Sequence, residues 1–291
     1  MSFVKLSKLW FALGGLCITI SLAVLVFNWR TTGQFFNFGI DFTGGTVWVI
    51  RFEQPVALAE LRAKLGGERA DITTIKAQNS AAEDFRLKTS ELSDEQREQF
   101  TTVLRENFGA YEILSFENIG ASAGSDLAKQ ALVLTVLVLS GMLIYITFRF
   151  EFWTGLTAVL CLLHDVLVTL GAVSLLRLDF NLSMIAAILT IVGYSINATI
   201  IIFDRMRENL QSEQSQRQPD FAAVADASLR SVLGRCVMTS FTTMLAVLAV
   251  YIFGGASIKG FALTMFIGFA AGAYSSIFLA VPLYALFRKA A

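Results

Sequence analysis

FWTGLTAVLCLLHDVLVTLGAVSL, residues Phe152–Leu175, carries a single carboxylate, Asp165, and no lysine or arginine. A helix needs about 20 mostly apolar residues to cross the hydrocarbon core of a bilayer. A surface helix of a soluble domain would instead show one charged face to water. The stretch therefore reads as a membrane span. Its His164–Asp165 pair sits about 12 residues in, near mid-membrane at 1.5 Å per residue.

Working outward, five more stretches meet the same criterion: roughly Leu9–Phe27, Ala128–Phe148, Phe180–Phe203, Cys236–Phe253 and Phe261–Phe287. The whole chain agrees. Of 291 residues, 55% are hydrophobic and only 16% charged, against about 25% charged in a soluble domain. The mean hydropathy is +0.62. A net charge of zero gives no electrostatic footprint for nucleic acid. Lys5 and Lys8 precede the first stretch as they would a signal peptide. Its apolar core is too long for one, and no small-residue cleavage site follows, so it reads as an uncleaved first span. Cys17, Cys161 and Cys236 all fall in apolar stretches, and there is one histidine. Neither a disulfide framework nor metal-type Cys/His spacing is present, so no cofactor, metal or enzymatic chemistry is expected.

Lys and Arg in the short segments set the orientation. With the N-terminus in the cytoplasm, the inside segments hold Lys5, Lys8, Arg149, Arg205, Arg207, Arg217, Arg230, Arg288 and Lys289. The short outside loops hold only Arg177 and Lys259. Both termini are then cytoplasmic. The division expected is a first transmembrane helix over 1–27, an outside domain over 28–126, and a five-helix membrane domain over 127–291 with a cytoplasmic segment near 204–234. The second half of that segment, with Phe221, Val224, Ala225, Leu229 and Val232, is spaced like an amphipathic helix. It is expected either along the membrane surface before the fifth span or as a short linker helix packed on the bundle.

The outside domain reads as a small α+β unit. Phe38–Phe52 is rich in β-branched and aromatic residues and contains Gly44–Gly45. Pro55 opens a helix through Leu65, and Gly66–Gly67 stops it. Asp71–Ala77 and Asp84–Lys88 read as strands with Asn79–Ser80 in the turn. Ser93 and Gln96 have capping-box spacing for a helix to about Phe108, and Tyr111–Phe116 is a last strand. The order β-α-β-β-α-β is the ferredoxin-like pattern, which by itself says nothing about function. No repeat at 20–50 residues points to a solenoid.

Polar groups at bilayer depth usually face a bundle interior or a wet path. Three spans carry them at three- and four-residue steps, which share a helix face. The third span has Ala158, Cys161, Asp165, Thr169 and Ala172; the fourth, Ala186, Thr190, Gly193 and Asn197; the fifth, Arg235, Thr239, Thr242 and Ala246. His164, Asp165 and Asn197 read either as functional groups or as an internal polar clamp. Arg235 lies near the inner end of its span and either serves function or snorkels to water. In the sixth span, Thr264, Gly268, Gly272, Ser276 and Ala280 read as a packing stripe.

GIDFTGGT (Gly39–Thr46), LLHDV (Leu162–Val166), GYSIN followed by TIIIFDRMREN (Gly193–Asn209), SLRSVLGRCVMTSFTT (Ser228–Thr243) and FGG (Phe253–Gly255) resemble the SecD/SecF family of the resistance-nodulation-division superfamily. The motifs run in the family's order from about Phe38 to Gly255. The resemblance implies an accessory subunit of the Sec protein-export machinery in the bacterial inner membrane. Such a subunit pairs with SecD, works beside the SecYEG channel and YajC, and uses the proton gradient, or sodium in some members, to help move unfolded exported polypeptide. It implies a proton relay or coupling group of His164, Asp165, Asn197 and Arg235. The SecD contact is expected through the fourth to sixth spans, with the sixth span's small stripe at a close helix contact. One position departs from the family motif, which has Asp where Ala198 stands. Alanine cannot titrate, so ion transport through this chain would be impaired. The chain is then either a substituted member or a natural one that does without this Asp or borrows a carboxylate from SecD. Two other classes remain open: a lipid or small-molecule exporter of the same fold, and a structural subunit without ion transport.

Overall fold

The computed structural model describes residues 3–65, 70–76, 83–213 and 221–290. The elements are α1 (Ser7–Thr32), β1 (Asn37–Phe38), α2 (Ile40–Thr43), β2 (Gly45–Phe52), α3 (Leu58–Leu65), β3 (Ala70–Lys76), β4 (Glu83–Thr89), α4 (Asp94–Phe108), β5 (Tyr111–Ile119), α5 (Ala121–Arg149), α6 (Phe152–Leu175), β6 (Asp179–Phe180), α7 (Leu182–Glu213), α8 (Phe221–Phe253), α9 (Ala256–Tyr274), a π turn (Ser275–Leu279) and α10 (Ala280–Ala290). Among the described residues, six helical stretches are long and apolar enough to cross a bilayer: α1, α5, α6, α7, α8, and α9 continued through the π turn into α10. These are the first to sixth spans. The chain forms two compact units: Met1–Asn37 with Leu134–Tyr251 and Gly260–Ala291, and Phe38–Val133 with Ile252–Lys259.

In the second unit the sheet order is β3-β4-β2-β5 with antiparallel neighbours, the ferredoxin-like arrangement. Alternation along β2 places Trp48, Ile50 and Phe52 on one face. There they pack with Leu61 of α3, Phe85 and Leu87 of β4, and Leu104 and Phe108 of α4. The capping box forms: Gln96 N–H donates to Ser93 Oγ at 3.3 Å, and Ser93 N–H to Gln96 Oε1 at 3.0 Å. Phe38–Phe52 is not one strand, because Ile40–Thr43 makes a helical turn first. The glycine pair explains the change of direction. Gly44 and Gly45 have φ of +69° and +131°, a region that side chains avoid. A Cβ would lie 2.7 Å from Ala121 Cα at Gly44 and 2.5 Å from the Thr89 oxygen at Gly45. The expected stop at Gly66–Gly67, the Asn79–Ser80 turn and Ala77 lie outside the described residues.

In the membrane unit, α1 and α6 approach closely. A Cβ on Gly171 would lie 2.3 Å from Ser21 Cβ, so only glycine permits the contact. Further along, Asn28 Nδ2 donates to the Ser174 carbonyl at 2.9 Å and to Ser174 Oγ at 2.8 Å. This uses polar groups at the helix ends as an interhelical clasp.

Two expectations need correction. The amphipathic stretch before the fifth span is no separate surface helix. It is the first part of α8, continuous over 33 residues, about 50 Å at 1.5 Å per residue against a core of about 30 Å. On its apolar face Ala225 and Leu229 are buried in one cluster with Ile202, Phe203, Met206 and Tyr284, and Val224 is buried beside them in sequence, so protein rather than lipid covers it. Asp226 Oδ1 fixes it further by accepting the Phe3 and Val4 N–H groups at 2.9 and 3.1 Å. The second correction concerns the sixth span's small stripe. It faces this chain's own fourth span rather than a partner: a Cβ on Gly268 would collide with Ile191, and one on Gly272 would lie 3.1 Å from Ser195 Cβ.

The α1–α6 contact predicts that Gly171→Leu costs about 2 kcal/mol, the usual scale of overpacking. It should lower the thermal midpoint of the purified protein in micelles. Gly15→Ala, where a Cβ meets nothing within 4 Å, should leave the midpoint unchanged. Equal midpoints for both variants would remove the close contact from the account.

Candidate functional site

Among the described polar groups of the spans, one buried cluster and two outward stripes stand out. The cluster centres on Asp165, which is 1% exposed, with His164 at 5%. His164 Nδ1 lies 2.9 Å from Asp165 Oδ1. Ser195 Oγ, from α7, donates to Asp165 Oδ2 at 2.5 Å. Ser275 Oγ, at the start of the π turn, donates to the same oxygen at 2.8 Å. Below it, Thr199 Oγ1 and Ser276 Oγ are 3.2 Å apart, and Ser276 Oγ also bonds the Gly272 carbonyl at 2.7 Å. Thr169 Oγ1 returns to the Asp165 carbonyl at 2.7 Å. Three spans thus meet on one carboxylate.

The geometry follows from local structure. An α-helix advances about 100° per residue, so neighbouring residues point apart. The wider π turn nevertheless puts Ser275 and Ser276 both at 0% exposure, one on Asp165 and the other on Thr199. Such bulges recur at functional sites. A charged carboxylate without partners in hydrocarbon is costly, and three donors offset that cost. His164 Nε2 is buried without a hydrogen-bond partner.

The other expected site residues lie elsewhere. On α7, Ser195 and Thr199 turn inward, whereas Thr190, Gly193 and Asn197 are exposed and Ala198 is half-buried. On α8, Arg235, Thr239, Thr242 and Ala246 are exposed. Arg235 makes no ion pair among the described residues, and the Thr239 hydroxyl bonds the Arg235 carbonyl at 2.9 Å. The stripes of the fourth and fifth spans therefore point away from this chain's interior, while the third span's stripe points in. The two outward stripes are level with each other. Tyr194 OH meets Ser240 Oγ at 3.0 Å, and Arg205 Nε meets Ser231 Oγ at 3.2 Å. Going four residues on from Tyr194 and four back from Ser240 brings position 198 level with Cys236, beside Arg235.

The relatives agree with this architecture. The C-terminal model of the protein export membrane protein SecD/SecF matches residues 99–290, and the SecD/SecF GG motif matches residues 36–56. The chain belongs to the SecD/SecF family. It is 39% identical to protein translocase subunit SecF of Sebaldella termitidis, over 99% of this chain and 92% of that one. It is 37% identical to the subunit of the same name from Haemophilus influenzae, over 97% and 84%. The crystal structure of SecDF, a translocon-associated membrane protein from Thermus thermophilus, superposes with a TM-score of 0.85 at 33% identity, covering 99% of this chain. This chain spans about two fifths of that longer one, 39%. In this chain the matched GG-motif segment contains the Gly44–Gly45 turn described above.

Ser195 lies inside the GYSIN motif, but nothing in its spacing singled it out as a ligand of Asp165. Ser276 read as packing, and Ser275 gave no signal at all. A π turn has no periodicity to read, and only the adjacent serines mark it.

Removing the acceptor should unbalance the cluster. Asp165→Leu leaves two hydroxyls and an imidazole nitrogen buried without their partner and should cost about 3 kcal/mol, the scale for breaking a buried pair. Asp165→Asn, which can still accept both serine bonds, should cost less than half of that. Thermal midpoints in micelles check this, and a leucine variant as stable as the parent would show that the cluster does not hold the spans together.

Proposed function

We propose that this chain is an accessory subunit of protein export in the bacterial inner membrane, forming half of an ion-gradient-driven unit with SecD. The observation that carries this reading is the pair of outward polar stripes. A guanidinium at 235 and the row of Thr190, Gly193 and Asn197 sit at membrane depth on faces this chain leaves uncovered. Such groups are rarely left to lipid tails. A partner bundle with polar groups of its own is the cover that suits them. The kinship with SecDF, a single chain more than twice this length, supports SecD as that partner. The lysine and arginine bias supports cytoplasmic termini, with the ferredoxin-like domain outside and facing exported polypeptide.

In this reading energy enters at the seam between the outward stripes. A carboxylate there that alternates between charged and neutral beside a fixed Arg235 has two electrostatic states, and one charge crossing the membrane potential is worth about 2.3 kcal/mol per 100 mV. The family's carboxylate position is Ala198, so in this chain SecD must supply the acid or the seam does not titrate. His164 and Asp165 are a second, inward proton-holding pair that biases how the fourth and sixth spans pack. Ala198 also favours a structural role without ion transport, and one experiment separates the two.

Export of a reporter protein into inverted vesicles would be followed with and without a proton gradient, SecD being present throughout. Ala198→Asp should raise the gradient-dependent part several-fold, and Arg235→Met in the same background should abolish the gain. Equal rates for all three chains would leave only the structural role. Photocrosslinks from position 239 or 242 should reach SecD; crosslinks to lipid alone would reject the pairing.

A further inference from the structure

Successive spans cross the membrane in alternate directions. The start of the first, third and fifth spans and the end of the second, fourth and sixth therefore share one end of the bundle. Two cavities open there. One, of about 160 Å³, is lined by Arg149, Glu151, Asp204, Arg207, Tyr284 and Arg288 among others. At about 30 Å³ of liquid volume per water, it has room for a phosphate group. The second, of about 540 Å³, is mainly apolar, with Phe11, Phe221, Pro282, Ala285 and Leu286 in its wall. Arg288 lines both.

The charges in the smaller cavity do not cancel. Asp204 is taken by Arg149, whose Nη2 lies 2.7 and 2.6 Å from its two oxygens. That leaves Arg207 and Arg288 against Glu151, an excess of one positive charge. Arg288 is held in place: its Nη1 donates to Tyr284 OH at 3.2 Å, and its guanidinium sits 5.0 Å from the centre of the Phe221 ring. Guanidinium groups favour phosphate through paired N–H donors. A monoanionic phosphate matches the excess charge, and the adjoining apolar cavity matches a hydrocarbon chain.

We propose that this end of the bundle is a binding site for one anionic phospholipid, its phosphate between Arg207 and Arg288 and an acyl chain in the cavity walled by Phe11, Phe221 and Leu286. A zwitterionic headgroup fits worse, because it brings a cation to the same two arginines. The site does not depend on the export reading. It ties together the first span, the start of α8 and α10, which otherwise meet there across open space.

Native mass spectrometry of the full chain, released from micelles containing equal phosphatidylglycerol and phosphatidylcholine, tests this. Phosphatidylglycerol should be retained preferentially. The double variant Arg207→Gln/Arg288→Gln should lower its retention about tenfold, the loss expected for a charge-assisted hydrogen bond, and leave phosphatidylcholine unchanged. Arg30→Gln, at the opposite end of the first span, should have no effect. Ala285→Trp, which fills the apolar cavity without changing charge, should also reduce retention, and it carries the test if the double variant does not fold. Equal retention of the two lipids would overturn the proposal. So would full retention by the double or the tryptophan variant, or equal loss in Arg30→Gln. Displacement of the lipid by inorganic phosphate alone would make the cavity a free-anion site and overturn the lipid assignment.

Discussion

Hydrocarbon offers no solvent to a carboxylate, so Asp165 must find every partner inside the protein. Much of the packing of the membrane unit follows from that need. The fourth span must come near enough for Ser195 to donate, and the sixth must present Ser275 to the same oxygen. Both demands meet at Gly272. A Cβ there would sit 3.1 Å from Ser195 Cβ and 3.6 Å from Asp165 Oδ2, so even alanine would ask Ser195 to give by a few tenths of an ångström. The first span closes against the other side of the third, where Gly171 admits Ser21. One ionisable group and two glycines thus set how closely the first, fourth and sixth spans approach the third.

The sequence made some of this legible and hid the rest for physical reasons. The six spans and the ferredoxin-like order could be read because apolar length and alternation are local properties. The His164–Asp165 pair stood out because charged residues are rare in such stretches. Which way each polar stripe faces could not be read. Periodicity puts residues on one side of a helix without saying what lies opposite. The stripes of Asp165, Asn197 and Arg235 looked alike, yet the first is buried and the others are outward. The sixth span's stripe erred the other way, since small residues serve an internal contact as well as an external one. The start of α8 stayed open between two readings because an amphipathic face can be covered by membrane or by protein, and its pattern is the same in both; the bundle covers it here, in a helix continuous with the fifth span.

Gly44–Gly45 shows how a motif can be recognised before its mechanism is. A run rich in β-branched and aromatic residues suggested a continuous strand. The backbone instead closes one helical turn at Ile40–Thr43, reverses through two positive-φ glycines, and only then enters β2. The close approach of Ala121 and Thr89 to that pair is a tertiary fact that no propensity could report. It joins the entry to the central strand to the first turn of α5, so the inserted unit and the start of the second span share a backbone contact that tolerates no side chain.

The fourth span has a double role. Ser195 and Thr199 bind inward to Asp165 and Ser276, while Asn197 and position 198 lie on or near the outward face. Among the described residues no chain of hydrogen bonds joins Asp165 to Arg235. The fourth span, which reaches Asp165 through Ser195 and carries Asn197 on its outward face, is the physical link between the two sites. Losing the acceptor at Asp165 would weaken the Ser195 bond that holds the fourth span in its present rotation, and the Ser275 bond that holds the sixth. A small rotation would then move Asn197 and position 198 together, at the level of Arg235. In the proposed reading the transmission would be mechanical, through a rigid element packed in a core with few alternative arrangements. By the same route, a partner seated on the outward stripe would change how well Ser195 serves the carboxylate behind it.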